Sequence, residues 1–327
     1  MIRTFVSFGL VALTVAALAG CSQEVQTGEG GKIVIGVIAK SQSNPVFQAA
    51  RAGAEDKARE LSRTLGRPVE IQWRTPNQED AQKQADAVEK LAAQGVHGIA
   101  ISCSDASKVT GALADAIRNK NVVVVCFDSD APASGRMAYF GTDDRSCGIQ
   151  VMRELVGLMG GTGKVAILAG NQTAPNLQAR VAGVREEAAR HPGIEIVDAY
   201  YHKETPQDAV AKVEQVQGSN PEIAGWAMVG GWPLFTDNAI KWAPGAVKVV
   251  AVDALPSQLK YLESGHVQLL LAQQVYEWGA RSVEMIVDRI VHGKRPPVER
   301  EIAPLLPITA DQAAAYAKNW QKWLPNR

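Results

Sequence analysis

Residues 121–130 read Asn-Val-Val-Val-Val-Cys-Phe-Asp-Ser-Asp. Four successive valines exclude a strand with one wet face, because alternate side chains of a strand point to opposite sides. The run predicts a strand buried on both faces, as in a parallel sheet covered by helices. It stops at a group of polar residues, and in open α/β sheets ligands bind outside the carboxyl ends of the strands. Asp128, followed by Ser129, therefore stands where a site is expected.

The same pattern runs along the chain. Apolar runs at 32–40, 68–73, 96–102 and 137–141 alternate with helical periodicity at 45–65, 79–94, 106–120 and from Asp143 or Asp144 to about 159. Asn44 fits a helix N-cap and Pro45 the first helical position, where a missing N–H costs nothing. The plan then restarts, with strands predicted at 164–169, 194–201, 225–229, 247–252 and 267–272. Helices are expected at 175–190, 206–218, 256–264 and 276–292. A Pro-rich extended tail follows over 294–308, then a last helix starting at Thr309 or Asp311. Two α/β halves of similar plan imply two doubly wound parallel-sheet lobes with a cleft between them. No self-similar sequence period accompanies the repeated plan.

The amino terminus is read apart from the fold. Arg3 is followed by an apolar run over 5–19, shorter than the roughly 20 residues of a membrane span. It ends in Leu18-Ala19-Gly20-Cys21. Residues 1–20 read as a signal peptide, and Cys21 stands where a bacterial lipobox has its lipidated cysteine. Residues 21–31 read as a flexible tether. Lys+Arg and Asp+Glu each number 34, and a balanced charge gives no general basic surface for nucleic acid. No metal or cofactor is expected: the five histidines are scattered and the cysteines match no zinc spacing. Gly160-Gly161-Thr162-Gly163-Lys164 looks like a phosphate loop but precedes a strand, whereas a phosphate loop follows one. Cys103 and Cys126 lie near the ends of consecutive strands, and either a disulfide or two buried thiols fits that placement.

Asn44, Asp128, Asn176, Arg180, Asp253 and Gln273 all fall at predicted strand ends or in the first turns of the following helix. Each alone is more commonly a cap or turn residue. Together, carboxylates, amides and a guanidinium suit a ligand rich in hydroxyl groups. Phe47 and Trp232 offer flat faces for the apolar side of a sugar ring.

These segments, in this order, resemble the sugar-type periplasmic solute-binding proteins of ABC importers, the group of the ribose- and galactose-binding proteins. The resemblance covers roughly residues 32–308. It rests on Ser43-Asn44-Pro45-Val46-Phe47, Gly98-Ile99-Ala100-Ile101-Ser102 with Asp105, Phe127-Asp128-Ser129, Gly141-Thr142-Asp143-Asp144, residues 176–183 with Asn176 and Arg180, Val252-Asp253, and Gln273 before Tyr276-Glu277-Trp278-Gly279. It implies a type I periplasmic binding protein fold whose lobes are joined by a three-strand hinge. The amino-terminal lobe would be 32–142 plus 274–301 and the carboxyl-terminal lobe 143–273 plus 302–327.

By the same resemblance Asn44, Phe47, Ser102, Asp128, Arg180, Asp253 and Gln273 contact the ligand, with Asp105, Ser129, Asn176, Gly230 and Trp232 in the matching segments or at its departures. Ser129 stands where ribose binders carry Arg, and Gly230-Gly231-Trp232 where many members have Asn-Asp. An aldose, deoxy sugar or polyol other than ribose is therefore expected. The resemblance also implies an exported monomer without enzymatic activity, held to a membrane by lipid on Cys21. Its partners would be the small sugar or polyol and an ABC transporter permease. A sensory receptor that hands its ligand-bound form to a signalling protein is the alternative.

Overall fold

The structure is a computed structural model and describes Ile2 and residues 31–324. The signal segment, Cys21 and most of the tether lie outside these residues. Two six-stranded sheets form, each in the 2-1-3-4-5 order of a doubly wound fold with one added edge strand. In the first, β1 (Ile33–Ile38) lies between β2 (Val69–Trp73) and β3 (Gly98–Ile101), followed outward by β4 (Val123–Phe127), β5 (Ala138–Gly141) and β11 (Arg300–Ile302). In the second, β6 (Gly163–Ala169) lies between β7 (Ile194–Tyr201) and β8 (Ile223–Met228). Then come β9 (Lys248–Val252), β10 (Leu269–Ala272) and β12 (Leu306–Ile308). Every neighbouring pair is parallel except β10 with β12. The valine run becomes β4, and every residue of that strand is buried.

Helices cover both faces. In the first lobe they are α1 (Pro45–Leu65), α2 (Ala81–Ala93) and α3 (Ala106–Lys120). In the second they are α5 (Pro175–Ala188), α6 (Pro206–Ser219) and α7 (Pro256–Glu263). Two further helices cross. α4 (Asp144–Leu158) follows β5 of the first sheet but packs on β8 and β9 of the second. Conversely, α8 (Val275–His292) follows β10 and packs on β3, β4 and β5. The chain passes once more between the lobes from β11 to β12, then ends in α9 (Ala310–Trp323).

Each lobe brings two helices into backbone contact. A Cβ on Gly53 of α1 would stand 2.0 Å from the Tyr276 carbonyl oxygen, and one on Gly279 of α8 would stand 1.8 Å from that of Ala50. In the second lobe the same holds for Gly148 of α4 against Arg180 (1.9 Å) and Gly183 of α5 against Arg145 (2.1 Å). Only glycine permits such an approach.

The tail is extended, as expected, and its pairing adds to that reading. It supplies β11 and β12, one to the edge of each sheet. These strands are three residues long and partly exposed, too short to show a period. Pro307 is tolerated in β12 because an edge strand can spare a donor. The second helix begins at Ala81 rather than Glu79, because the Asp80 side chain caps it by accepting from the Lys83 N–H. Gly160, Gly161 and Gly163 all have positive φ (67°, 81° and 125°) in the turn from α4 to β6. That backbone conformation, and not phosphate binding, explains the glycines. Cys103, Cys126 and Cys147 are buried free thiols.

Candidate functional site

The strand-order reversals, β1 beside β3 and β6 beside β8, put the carboxyl ends of both sheets at the cleft. Asp128 ends β4 and Asp253 ends β9, and both take left-handed backbone (φ 57° and 72°). Asp and Asn tolerate this conformation better than most residues, and here it turns each carboxylate off its strand end.

Two hydrogen-bonded networks result. In the first, Ser102 Oγ donates to Asp128 Oδ2 at 2.6 Å, and Asn176 Nδ2 reaches across from the second lobe to Asp128 Oδ1 at 3.2 Å. Lys40 Nζ donates to Asn176 Oδ1 at 3.0 Å and lies 3.9 Å from Asp128 Oδ2. All four residues are buried. In the second, Arg180 uses its whole fork: Nε to Asp144 Oδ1 (2.8 Å), one amino group to the Val229 carbonyl (3.0 Å), the other to Gln273 Oε1 (2.7 Å). Gln273 Nε2 in turn donates to Asp253 Oδ1 at 2.8 Å, and Thr142 Oγ1 donates to Gln273 Oε1 at 2.9 Å. Thr142 and Gln273 sit at two of the three crossings, so this contact joins two of the connecting segments.

Burial opposes the charge on Lys40, but Glu204, Asp128 and Glu79 outweigh it and raise its pKa above the ordinary lysine value. The ammonium is therefore firmly charged. Burial pushes the Asp144 carboxyl up to about 7 although Arg180 pulls it down. Asp253 rises to about 6 by burial, moderated by the Gln273 bond and Arg180. Burial opposes the charge on Arg180, but Asp144 and the neighbouring Asp128 and Asp253 outweigh it and raise its pKa further. Fixed donors and acceptors from both lobes thus face one another in a dry site, which suits groups that both donate and accept, such as hydroxyls.

Of the residues expected from sequence, Ser102, Asp128, Asn176, Arg180, Asp253 and Gln273 join these networks. The others lie apart from them. Asn44 caps α1, accepting from the Val46 N–H. Asp105 caps α3, accepting from the N–H and hydroxyl of Ser107. Phe47 is buried in the lobe core with its ring 6.2 Å from that of Trp278. Ser129 is buried beside Asp128, and its hydroxyl has no hydrogen-bond partner. Trp232 is buried and lies edge-on to His202, ring centres 5.0 Å apart. It occupies the space over Gly230, where a Cβ would come within 2.3 Å of the indole.

Lys40, Thr142 and Asp144 were not read as site residues. Lys40 follows β1 at its carboxyl end, so the rule that selected Asp128 would have selected it too. Gln84, fully buried, was also missed. Its amide donates to the carbonyls of Ala39 (3.0 Å) and Ser102 (2.8 Å) and accepts from the Ser104 N–H (2.9 Å), holding the ends of β1 and β3 together. Among the described residues no cluster of three or more His, Cys, Asp or Glu is placed to hold a metal ion.

The model of the periplasmic binding protein domain matches residues 35–295. The chain is 27% identical over 276 residues to the D-allose-binding periplasmic protein of Escherichia coli, covering 81% of this chain and 86% of that protein. It is 24% identical to the D-apiose import binding protein of Actinobacillus succinogenes, over 93% and 94% of the two chains. A crystal structure of an ABC transporter solute-binding protein from Burkholderia graminis, in complex with D-arabinose, superposes with a TM-score of 0.80 at 27% identity, covering 88% of this chain and 98% of that one. A glucose–galactose binding protein from Geobacillus stearothermophilus gives 0.77 at 25% identity, over 86% and 98%. The chain belongs to the periplasmic binding protein family and has its type I, two-lobed fold. It is a solute-binding protein, not an enzyme. No helix among the described residues is long and apolar enough to cross a membrane.

Proposed function

We propose that this protein captures a small sugar or polyol between its lobes outside the cytoplasm and delivers it to the permease of an ABC importer. The observation that carries the reading is the pair of buried polar networks, in which Lys40, Ser102 and Asp128 of one lobe face Asn176, Arg180, Asp253 and Gln273 of the other. A ligand that replaces these cross-lobe bonds with its own touches both lobes, and so favours the closed form by its differential affinity. Asp128 accepts ligand hydroxyls, Arg180 and Lys40 donate, and Gln273 and Asn176 do both. The sugars named for the relatives, D-allose, D-apiose and D-arabinose among them, make an aldose the first class to try. Lipid on Cys21 would keep the monomer near its transporter. The lobes would divide as 32–142 plus 274–301 and 143–273 plus 302–327.

A thermal-shift screen of the soluble chain against aldoses, deoxy sugars and polyols tests the capture. A ligand at 100 times its Kd stabilises the folded state by about 2.7 kcal/mol. One strong hit is expected, and Asp128→Ala should abolish it. A flat panel with a well-folded protein would refute the sugar reading.

A further inference from the structure

At one side of the inner networks the cleft widens into a cavity of about 530 Å³, lined from the first lobe by Ser41 and Glu79 and from the second by Asn171, His202 and Glu204. One residue ties its walls together. Asn171 Nδ2 donates across the cleft to Glu79 Oε1 at 3.1 Å, while the Asn171 backbone N–H donates to Glu204 Oε1 at 3.2 Å. The amide cannot be turned round. Its Oδ1 already accepts from the N–H (2.9 Å) and hydroxyl (3.0 Å) of Thr173, so the NH₂ must face Glu79. Glu204 reaches this position because Gly170 has no side chain: a Cβ there would stand 2.8 Å from Glu204 Cγ and 2.9 Å from its Oε1.

We propose that Glu79, Asn171 and Glu204 are positioning residues that latch the two lobes in the closed form, and that the latch makes closure proton-dependent. The proposal rests on the capture reading above and concerns how that cleft is regulated.

Closing brings carboxylates from opposite lobes to one residue, Glu79 to the side-chain amide of Asn171 and Glu204 to its backbone N–H. The nearby cation, Lys40, is already engaged with Asn176 and Asp128. Like charges held this close in a partly dry cleft disfavour joint ionisation. Burial, then Glu79, push the Glu204 carboxyl up to about 7, against the pull of Lys40 and of the Asn171 N–H. The groups facing Glu204 are Glu79 ahead of α2, Lys40 after β1 and Asp128 after β4, with His202 and Lys203 on its own loop. Burial lowers the His202 pKa, so His202 does not supply a second cation at neutral pH.

In the open form Glu204 is taken near its ordinary 4.5 and in the closed form near 7, so closing takes up a proton between these values. Closure is favoured as pH falls through about 7 and opposed above it. A cargo captured in an acidic surrounding would be held more tightly than at alkaline pH.

Small-angle scattering of the ligand-free chain at about pH 5 and pH 8, with D-allose titrations under the same conditions, tests this. Wild type should be more compact at the lower pH. Glu204→Gln and Glu79→Gln should each lose most of that response, and Asn171→Ala should be more open at both pH values while melting like wild type. If D-allose binds, its affinity should be on the order of 70-fold higher at the lower pH, and this ratio should approach one in Glu204→Gln. A wild-type chain indifferent to pH, or a response that survives both glutamine variants, overturns the latch even if sugar binds. If neither D-allose nor any other sugar binds while the scattering response appears and the variants remove it, the latch stands and the sugar reading fails.

Discussion

The two lobes share one backbone plan but use its central helix pair differently. α1 follows β1 as α5 follows β6, and α8 enters the first lobe as α4 enters the second. Gly53 and Gly183 have the same offset from the opening Pro45 and Pro175, and Gly279 and Gly148 the same offset from the opening Val275 and Asp144. By that correspondence Ala50 is the counterpart of Arg180, Val275 of Asp144, and Thr142 of Gln273. In the first lobe the pair is apolar at this level, with the Trp278 ring against those of Phe47 and Phe127 nearby. In the second the same level holds the buried Arg180–Asp144 pair. The shared glycines are a requirement of close helix packing. The ion pair is peculiar to one lobe and costs desolvation, and its guanidinium points into the cleft. The glycine packing positions were kept in both lobes, while a buried ion pair at this helix level was placed in only one.

Breaking the ion pair should have the largest effect. Arg180→Met leaves Asp144 buried without its partner and should cost about 3–5 kcal/mol in urea unfolding. Installing the first lobe's residues, Arg180→Ala with Asp144→Val, should recover most of that loss, since well-packed apolar replacements of buried pairs are often neutral. Sugar binding should not return. A double variant as unstable as the single one would mean that the correspondence between lobes is wrong.

The glycine pairs should respond alike in stability and differently in binding. Gly148→Ala and Gly279→Ala each force helices apart and should cost about 1–3 kcal/mol or somewhat more. Calorimetric titration with the sugar found in the screen should show the larger loss of affinity for Gly148→Ala, because its partner helix α5 carries Asn176 and Arg180. Equal losses in both would show that the two lobes contribute equally to positioning the ligand.

A smaller effect is expected from pH. Asp144 and Asp253 rise from an ordinary 3.8 to about 7 and about 6 in the folded protein. The folded state then binds more protons than the unfolded one between pH 4 and 7, so stability falls as pH rises through that window. The fall should show as a lower urea midpoint at the upper end of the window and should be shallower in Asp144→Asn. A stability that rises across the window would show that these carboxyls are ionised without penalty.

Element positions were largely legible because they depend on local rules. Helix α3 lies where its periodicity placed it, 106–120. The double-faced burial of β4 was written in its four valines, and Asp128 and Asp253 were found by standing at strand ends. The aromatic expectations show the limit of such rules. A flat ring near a strand end can face a ligand or the lobe interior, and the contact with Trp278 turns Phe47 inward. That contact joins residues far apart in sequence, which no spacing near position 47 reveals.

What the sequence by itself determined is the repeated alternation of buried strands and amphipathic helices, and with it the end of each strand at which polar groups collect. Those follow from side-chain periodicity and capping, which act within a few residues. Only the tertiary structure decided which polar groups meet. Lys40 and Asn176 are 136 residues apart, and Thr142 and Gln273 131 apart. Their pairing depends on two lobes folding back on each other across three crossings. Hydrogen bonds reach only about 3 Å, so a site assembled from both lobes is set by that long-range geometry.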